Sequence, residues 1–418
     1  MKKLLLVIII IIVVLAGAYL GAGAVVNVKL QNEIRAMKAA GYATTISEIA
    51  PRATPEGLAA ARLITAAYDT ALACAGSRQE SREKADLQRA DSTDYSDDPA
   101  LFQQIMDRYS STFPLLLKAA EYPEVTFPFH YEQGWAMPLD SIPLAVQTGG
   151  RLLRIYAKVC FAQGRTEEAV KALRAAIHLA AGIKDNFALM TLVRGQQLLA
   201  SGDLVRKLAP RLPATTLAAL QFDCAAAESP GIYKSMLQAE MGLSQQAMVA
   251  TGTWPQSEMP TAGLLLNIAL GAPTLRKYAR LVNMVVTRRQ IELGARPWYQ
   301  AKPDWDQDSI RHETQKLGGR LGMLAVINAH LLYTRLERGR AENEITRLGL
   351  AVLRYRAEHG RLPDKLEAAG GEKLIDPFSG QPYHYRSGVN GFLLYSVGSD
   401  MKDDGGTRPQ DLSWQAQL

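Results

Sequence analysis

Three aspartates, Asp400, Asp403 and Asp404, fall within five residues near the C-terminus, between Gly398 and the pair Gly405 and Gly406. Carboxylates held that close repel one another, and glycines let backbone carbonyls turn inward. The combination suits a hard cation such as calcium, which takes six to eight oxygens at roughly 2.3–2.6 Å and mixes carboxylates with carbonyls. The spacing differs from the twelve-residue EF-hand loop. A solvated acidic turn is the competing reading of the same residues.

Little else in the chain offers chemistry. The six histidines are isolated in sequence, and no His-Glu-x-x-His, Gly-x-Ser-x-Gly or phosphate loop is present. Ser81 and Lys84 have a Ser-x-x-Lys spacing, but they lie in a charged stretch without the partner motifs such an enzyme needs. Glu167 and Glu168 complement a helix dipole. Two aromatic loops, one with Phe127, Phe129, Tyr131 and Trp135 and one with Trp298, Tyr299 and Trp305, could stack on sugar or peptide. They are expected instead to plug the ends of a helical stack. The chain is therefore expected not to be an enzyme. The alternatives are a cell-envelope hydrolase with a site in the helical body and a passive structural protein.

The Asp-rich loop closes an ordered series. A helix ends at Tyr355-Arg356-Ala357-Glu358-His359-Gly360-Arg361-Leu362-Pro363, Asp376-Pro377 follows, and Tyr383-His384-Tyr385-Arg386 and Phe392-Leu393-Leu394-Tyr395-Ser396-Val397 then read as two strands around a tight turn. This order resembles the globular part of the major pseudopilin of type II secretion. The resemblance implies a small α+β module whose loop holds calcium. Its ligands would be Asp400 and Asp403 first, Asp404 next, and the carbonyl of Leu394 or Ser396. The Phe-Thr-Leu-x-Glu start of pseudopilin helices is absent, so only the distal module is shared. The layout is also similar to a family of uncharacterised membrane-anchored bacterial helical proteins with the same tail. The implied role is a scaffold or adaptor linked to secretion or pilus-like assembly.

At the N-terminus, Lys2 and Lys3 precede an apolar run of about 23 residues, enough to span a hydrocarbon core of roughly 30 Å. Residues 1–28 are read as a transmembrane signal anchor. A cleavable signal peptide, cut after Ala16-Gly17-Ala18 or Ala22-Gly23-Ala24, is the alternative. The expected location is the cytoplasmic membrane, single-pass, with the body periplasmic. The expected partners are that membrane and envelope proteins, with no nucleic acid. Gly17 and Gly21, flanked by Ala18 and Ala22, permit the close helix approach of a homodimer. The apolar runs 263–270 and 321–333 are too short to span and read as core helix. The net charge of +6 is densest over 276–361, where Glu and Arg interleave. That pattern reads as a solvated helix face, with contact to anionic headgroups as the alternative. Cys74, Cys160 and Cys224 form no Cys-x-x-Cys pair, and each is expected to be a buried, unreactive thiol.

These elements define a mainly α chain of 418 residues in three parts: the anchor, a helical body over 29–308, and a long helix with the pseudopilin-like module over 309–418. In the body, Thr54-Pro55-Glu56 opens a helix to about Ala75. The polar stretch 77–98 reads as a mobile loop or exposed helix end. Residues 143–181 form a helical hairpin in which Gly164, Ala169, Leu173 and Ala176 resemble the signature of a tetratricopeptide unit. The long helix begins near Asp308 and ends at His359, with Gly339 placed to interrupt it.

Overall fold

In the computed structural model, residues 2–75, 80–139, 141–250, 272–306, 329–370 and 373–418 are described. The loop 251–260, the apolar run 263–270 and the beginning of the expected long helix, 307–328, lie outside them. The chain is mainly helical, with a small three-stranded antiparallel sheet near the C-terminus.

The first helix, α1 (Lys2–Ala39), is long and apolar enough to cross a membrane. Its residues from Ile10 to Ala22 are exposed on every side. From Gly23 the covered positions recur every three or four residues, and Leu30 and Met37 are fully buried. This stripe packs on α11 (Ile232–Ala250) and α12 (Pro273–Gly294), where Met241, Leu281 and Met284 close a small core. Glu33 pairs with Arg288 Nε at 2.6 Å. The apolar stretch thus continues into the body as one helix.

After the short α2 (Ile46–Ile49), the body begins with α3 (Pro55–Ala75), opened as expected by Thr54, whose Oγ1 accepts from Gly57 N at 3.0 Å. The polar stretch expected to be a mobile loop or exposed helix end holds a docked helix, α4 (Glu80–Ser92). Of its few apolar residues Leu87 and Ala90 are buried and Ala85 is exposed, and ionic contacts supply the rest of its attachment. Beyond it come α5 (Pro99–Arg108), α6 (Thr112–Ala119) and α7 (Ile142–Ala162). Arg108 reaches Glu83 at 2.8 Å, and Arg154 on α7 clasps Asp91 with two bonds of 2.9 and 2.6 Å. Lys158 Nζ donates to the carbonyls of Ala90, Asp91 and Thr93, caps the C-terminal end of α4, and is pushed down to about 8 by burial.

The hairpin expected over 143–181 is formed by α7 and α8 (Thr166–Gly182), turning at Gly164, with Leu152, Leu153, Val159, Cys160, Ala169, Leu173 and Ile177 buried. Two more helices, α9 (Ala188–Leu208) and α10 (Ala214–Ala226), extend the stack. Of the three thiols, Cys160 and Cys224 are buried, and burial pushes the Cys224 thiol up to about 12. Cys74 is exposed, contrary to expectation, because it lies on the outer face of the last turn of α3.

The chain then passes through α13 (Trp298–Asp306) to α14 (Ala329–His359), which runs unbroken through Gly339. A glycine inside a helix costs only about 1 kcal/mol, and packing along the rest of α14 overrides it. This helix is covered on both sides, by α9 and α10 and by the sheet. At Gly349 a Cβ would fall 2.1 Å from the Trp414 ring, so only glycine admits the sheet this closely. The interleaved charges expected to face solvent are in part buried here. Glu344 is 1% exposed, bonded by Arg340 and the Tyr383 hydroxyl. Glu342 takes Arg206 at 2.8 Å and Arg408 at 3.1 Å, and Arg347 pairs with Glu228.

The sheet has the order β1 (His384–Gly388), β2 (Gly391–Ser396), β3 (Leu412–Gln417). The first two are the expected hairpin. The third returns beyond the Asp-rich loop, pairing Leu394 with Trp414 and Ser396 with Leu412. Its alternating Leu412, Trp414 and Ala416 are buried.

Glu240 on α11 gives the body a pH dependence. Its Oε1 accepts from Ala188 N, at the start of α9, at 2.6 Å, while its Oε2 is buried without a partner. Burial raises its pKa to about 7, outweighing that hydrogen bond. The folded chain therefore holds a proton that the unfolded chain releases from about pH 4.5 upward. The contribution of this group to stability is full below that pH and lost as pH rises to about 7. Glu240→Gln is expected to reduce the fall in unfolding free energy between pH 5 and 7 and to stabilise the protein at pH 8 by up to about 3 kcal/mol. Denaturant titrations across that range would check it. A residual slope from Glu337 and Asp185, raised by burial to about 7 and about 6, is expected to remain.

Candidate functional site

The Asp-rich loop joins β2 to β3, and several distant elements hold its two ends. After α14 the chain turns at Gly360, whose N donates to Arg356 O at 2.8 Å, and reaches the Asp376-Pro377 turn. Asp376 is fully buried and takes four donors: Phe378 N at 3.0 Å, Ser379 Oγ at 3.0 Å, Ser396 Oγ at 2.8 Å and Val397 N at 3.3 Å. This carboxylate therefore clamps the end of β2, where the loop begins. From the body, Trp298 Nε1 donates to Ser399 O at 3.1 Å and Tyr299 N to Pro377 O at 3.3 Å. The Trp298 ring, on helix α13 where a loop was expected, is buried against Tyr333 and Phe378, as Phe129 and Tyr131 are against Phe187, with Phe127 against Phe129, in the other aromatic segment.

Within the loop, Gly398 has φ +70°, and a Cβ there would meet Gln410 O at 2.2 Å, so the two limbs touch. Asp400 Oδ1 accepts from Lys402 N at 3.2 Å and Asp403 Oδ1 from Gly405 N at 2.9 Å. The Gly405 bond holds the Asp403 carboxyl below the usual carboxylate range. All three loop aspartates, Asp400, Asp403 and Asp404, have exposed side chains. Leu394 is buried in the middle of the central strand, paired with Tyr385 and Trp414, so its carbonyl lies within the ladder. The Ser396 hydroxyl is spent on Asp376. The structure thus sets the three carboxylates on the solvent side and Leu394 and Ser396 on the buried side.

Asp411 links the two sides. It is 0% exposed, adjoins Leu412, the register partner of Ser396, and its Oδ2 accepts from Asp404 N at 3.1 Å and Gly406 N at 2.6 Å. Its Oδ1 is buried with no hydrogen-bond partner. An orphaned carboxylate oxygen at the base of an oxygen-rich, glycine-rich loop fits a hard cation better than a thiol- or imidazole-seeking one. Among the described residues, no three Asp, Glu, His or Cys side chains are gathered so as to hold a metal ion. Both buried acids, Asp376 and Asp411, escape a search for clustered carboxylates because each stands apart from the Asp-Gly run. The available signals are local: an Asp-Pro-x-Ser turn for Asp376, and for Asp411 its place before the alternating apolar residues of β3.

A second polar cluster escapes sequence reading too. Asp223, buried on α10, accepts from Arg174 Nε at 2.5 Å and contacts His178 Nε2 at 3.0 Å, which fastens α8 to α10. Burial would raise its carboxyl, but the hydrogen bonds from His178 and Arg174 outweigh burial and hold it low.

Asp376→Ala would leave Ser396 Oγ and Val397 N without their acceptor in a buried site. It is expected to lower the unfolding free energy by about 3 kcal/mol, measured by chemical denaturation, with Asp376→Asn costing less. No family model, curated protein or solved structure matches this chain.

Proposed function

We propose that this protein is a membrane-anchored scaffold or adaptor whose helical body stands outside the cytoplasm, in the periplasm, and whose C-terminal module binds calcium in the loop from Ser396 to Asp411. The observation that carries the reading is the buried, unpartnered Oδ1 of Asp411, whose other oxygen holds the backbone of a loop with three solvent-exposed aspartates. Calcium would supply the missing positive charge. Asp411 would hold it from below, and Asp403, Asp404 and Asp400 would close over it from the solvent side, with backbone carbonyls completing the set. The pseudopilin-like order of motifs supports the same assignment and suggests a place in a secretion or pilus-like assembly. The α7–α8 hairpin, similar to a tetratricopeptide unit, and the surface of the stack it begins would serve envelope protein partners. The apolar, everywhere-exposed stretch of α1 supports a single-pass anchor, and Gly17 and Gly21 lie free on it for a homodimer contact.

Calorimetric titration of calcium into the detergent-solubilised full chain tests the site. Saturable binding is expected, with a higher melting temperature in calcium than in chelator, and both effects are expected to vanish in Asp403→Asn/Asp404→Asn. Those side chains are exposed, so the variant is expected to fold. Equal melting temperatures with calcium and with chelator would make the loop a passive cap and overturn the calcium assignment.

A further inference from the structure

The Asp-rich loop is tied to the body once on each limb. On the first limb Ser399 O accepts from the Trp298 indole at 3.1 Å. On the second, Arg408 lies between Gly406 and Asp411, three residues from the buried Asp411 and four from Asp404. A cation so placed is a ready internal counter-ion for those acids, yet its guanidinium is engaged elsewhere. Nη2 donates to both oxygens of Glu342, at 3.2 and 3.1 Å, and to Ser413 O at 2.8 Å, while Nε donates to Ser413 O at 3.2 Å. Asp411 Oδ1 meanwhile stays buried without a partner. Glu342 is itself fixed from the other side. It stands on α14, 8% exposed, and takes Arg206 of α9 at 2.8 Å, so it holds Arg408 from a set position. Arg408 borders an open cleft of about 460 Å³ whose other walls include Gly405, Gly406 and Ser413. Without Glu342 its long side chain has room to swing toward the loop acids.

We infer that Glu342 is a positioning residue for the loop: it holds Arg408 away from Asp404 and Asp411 and so keeps their charge for a bound cation. The inference rests on the calcium reading of the loop and adds the body's part in it. Because Arg206 shares Glu342, the helical stack sets the affinity of a site built in the C-terminal module. A unit charge about 6 Å from a doubly charged ion opposes its binding on the order of tenfold, even at the dielectric of water.

The test is calorimetric titration of calcium into the detergent-solubilised full chain as wild type, Glu342→Gln, Arg408→Gln and the double variant. Glu342→Gln is expected to weaken binding on the order of tenfold. Arg408→Gln is expected to bind at least as tightly as the wild type, and the double variant to match Arg408→Gln. The rise in melting temperature from chelator to calcium is expected to follow the same order. Lys402 and Arg386, the latter bonded to the Tyr395 hydroxyl at 3.2 Å, are present in all four chains, so the differences report Arg408. A role for Glu342 in docking alone predicts the opposite pattern. Arg408→Gln breaks the same contact, so it would weaken binding as Glu342→Gln does, and the double variant would not recover. That pattern, or equal affinity in all four chains, would overturn the inference and leave the calcium site standing. Should Glu342→Gln fail to fold because buried Arg206 loses a partner, weaker binding by Arg408→Gln than by the wild type would overturn it alone. No saturable binding by the wild type would remove the calcium reading, and this inference with it.

Discussion

The structure depends on charges buried along α14. Glu342, Glu344 and Arg347 lie on a helix covered on both sides, and taking such groups out of water costs several kcal/mol each unless partners complete them. Those partners come from far apart in the sequence. Arg206 is on α9, Glu228 follows α10, and Tyr383 and Arg408 belong to the C-terminal module. Glu342 is shared by Arg206 from the body and Arg408 from the module, so its charge is fully met only when both are docked. Such pairs add little net stability compared with apolar packing, but a wrong register would strand a buried charge. They act as a specificity device that fixes where the sheet sits on the stack.

The same principle holds α4. A segment with so few apolar residues cannot dock by burial alone, and its attachment is ionic: Glu83 to Arg108, Asp91 to Arg154, and three terminal carbonyls to Lys158. This is why α4 is illegible in sequence. Composition reports how much apolar surface a segment offers, and α4 offers little. The partners that hold it are Arg108 on α5 and Arg154 and Lys158 on α7, the last two more than sixty residues away. The interleaved Glu and Arg of α14 mislead for the same reason, since helical spacing cannot distinguish charges facing water from charges facing one another across an interface.

What could be read directly were features decided by local chemistry. The apolar helix at the N-terminus, the start of α3 at Thr54-Pro55, the turn at Gly164 between α7 and α8, and the β1–β2 hairpin all follow from residues within a few positions of one another. In the candidate loop the sequence exposes the three aspartates nearest together, Asp400, Asp403 and Asp404. The acids that shape the loop are buried by tertiary contacts, Asp376 against the end of β2 and Asp411 at the start of β3, and the local turn and strand signals around them do not tell that they meet there. The loop's glycines are legible as turn residues, but the contact between its limbs at Gly398 and Gln410 is a tertiary fact.

One consequence of the helix order concerns distance. Tyr19 and Gly23, in the second half of the apolar stretch of α1, meet α12 at Thr274, and α12, with 22 residues, carries the chain about 33 Å along its axis to Gly294. Four residues later Trp298 begins α13, and its indole donates to Ser399 at the start of the Asp-rich loop. Each step in this series is a helix or a buried contact, with no flexible linker among the described residues between the end of the apolar stretch and the loop. The loop is therefore held at a set distance from α1's apolar stretch, about one α12 length away, rather than searching a volume on a tether. α12 thus acts as a ruler between the apolar stretch of α1 and the loop.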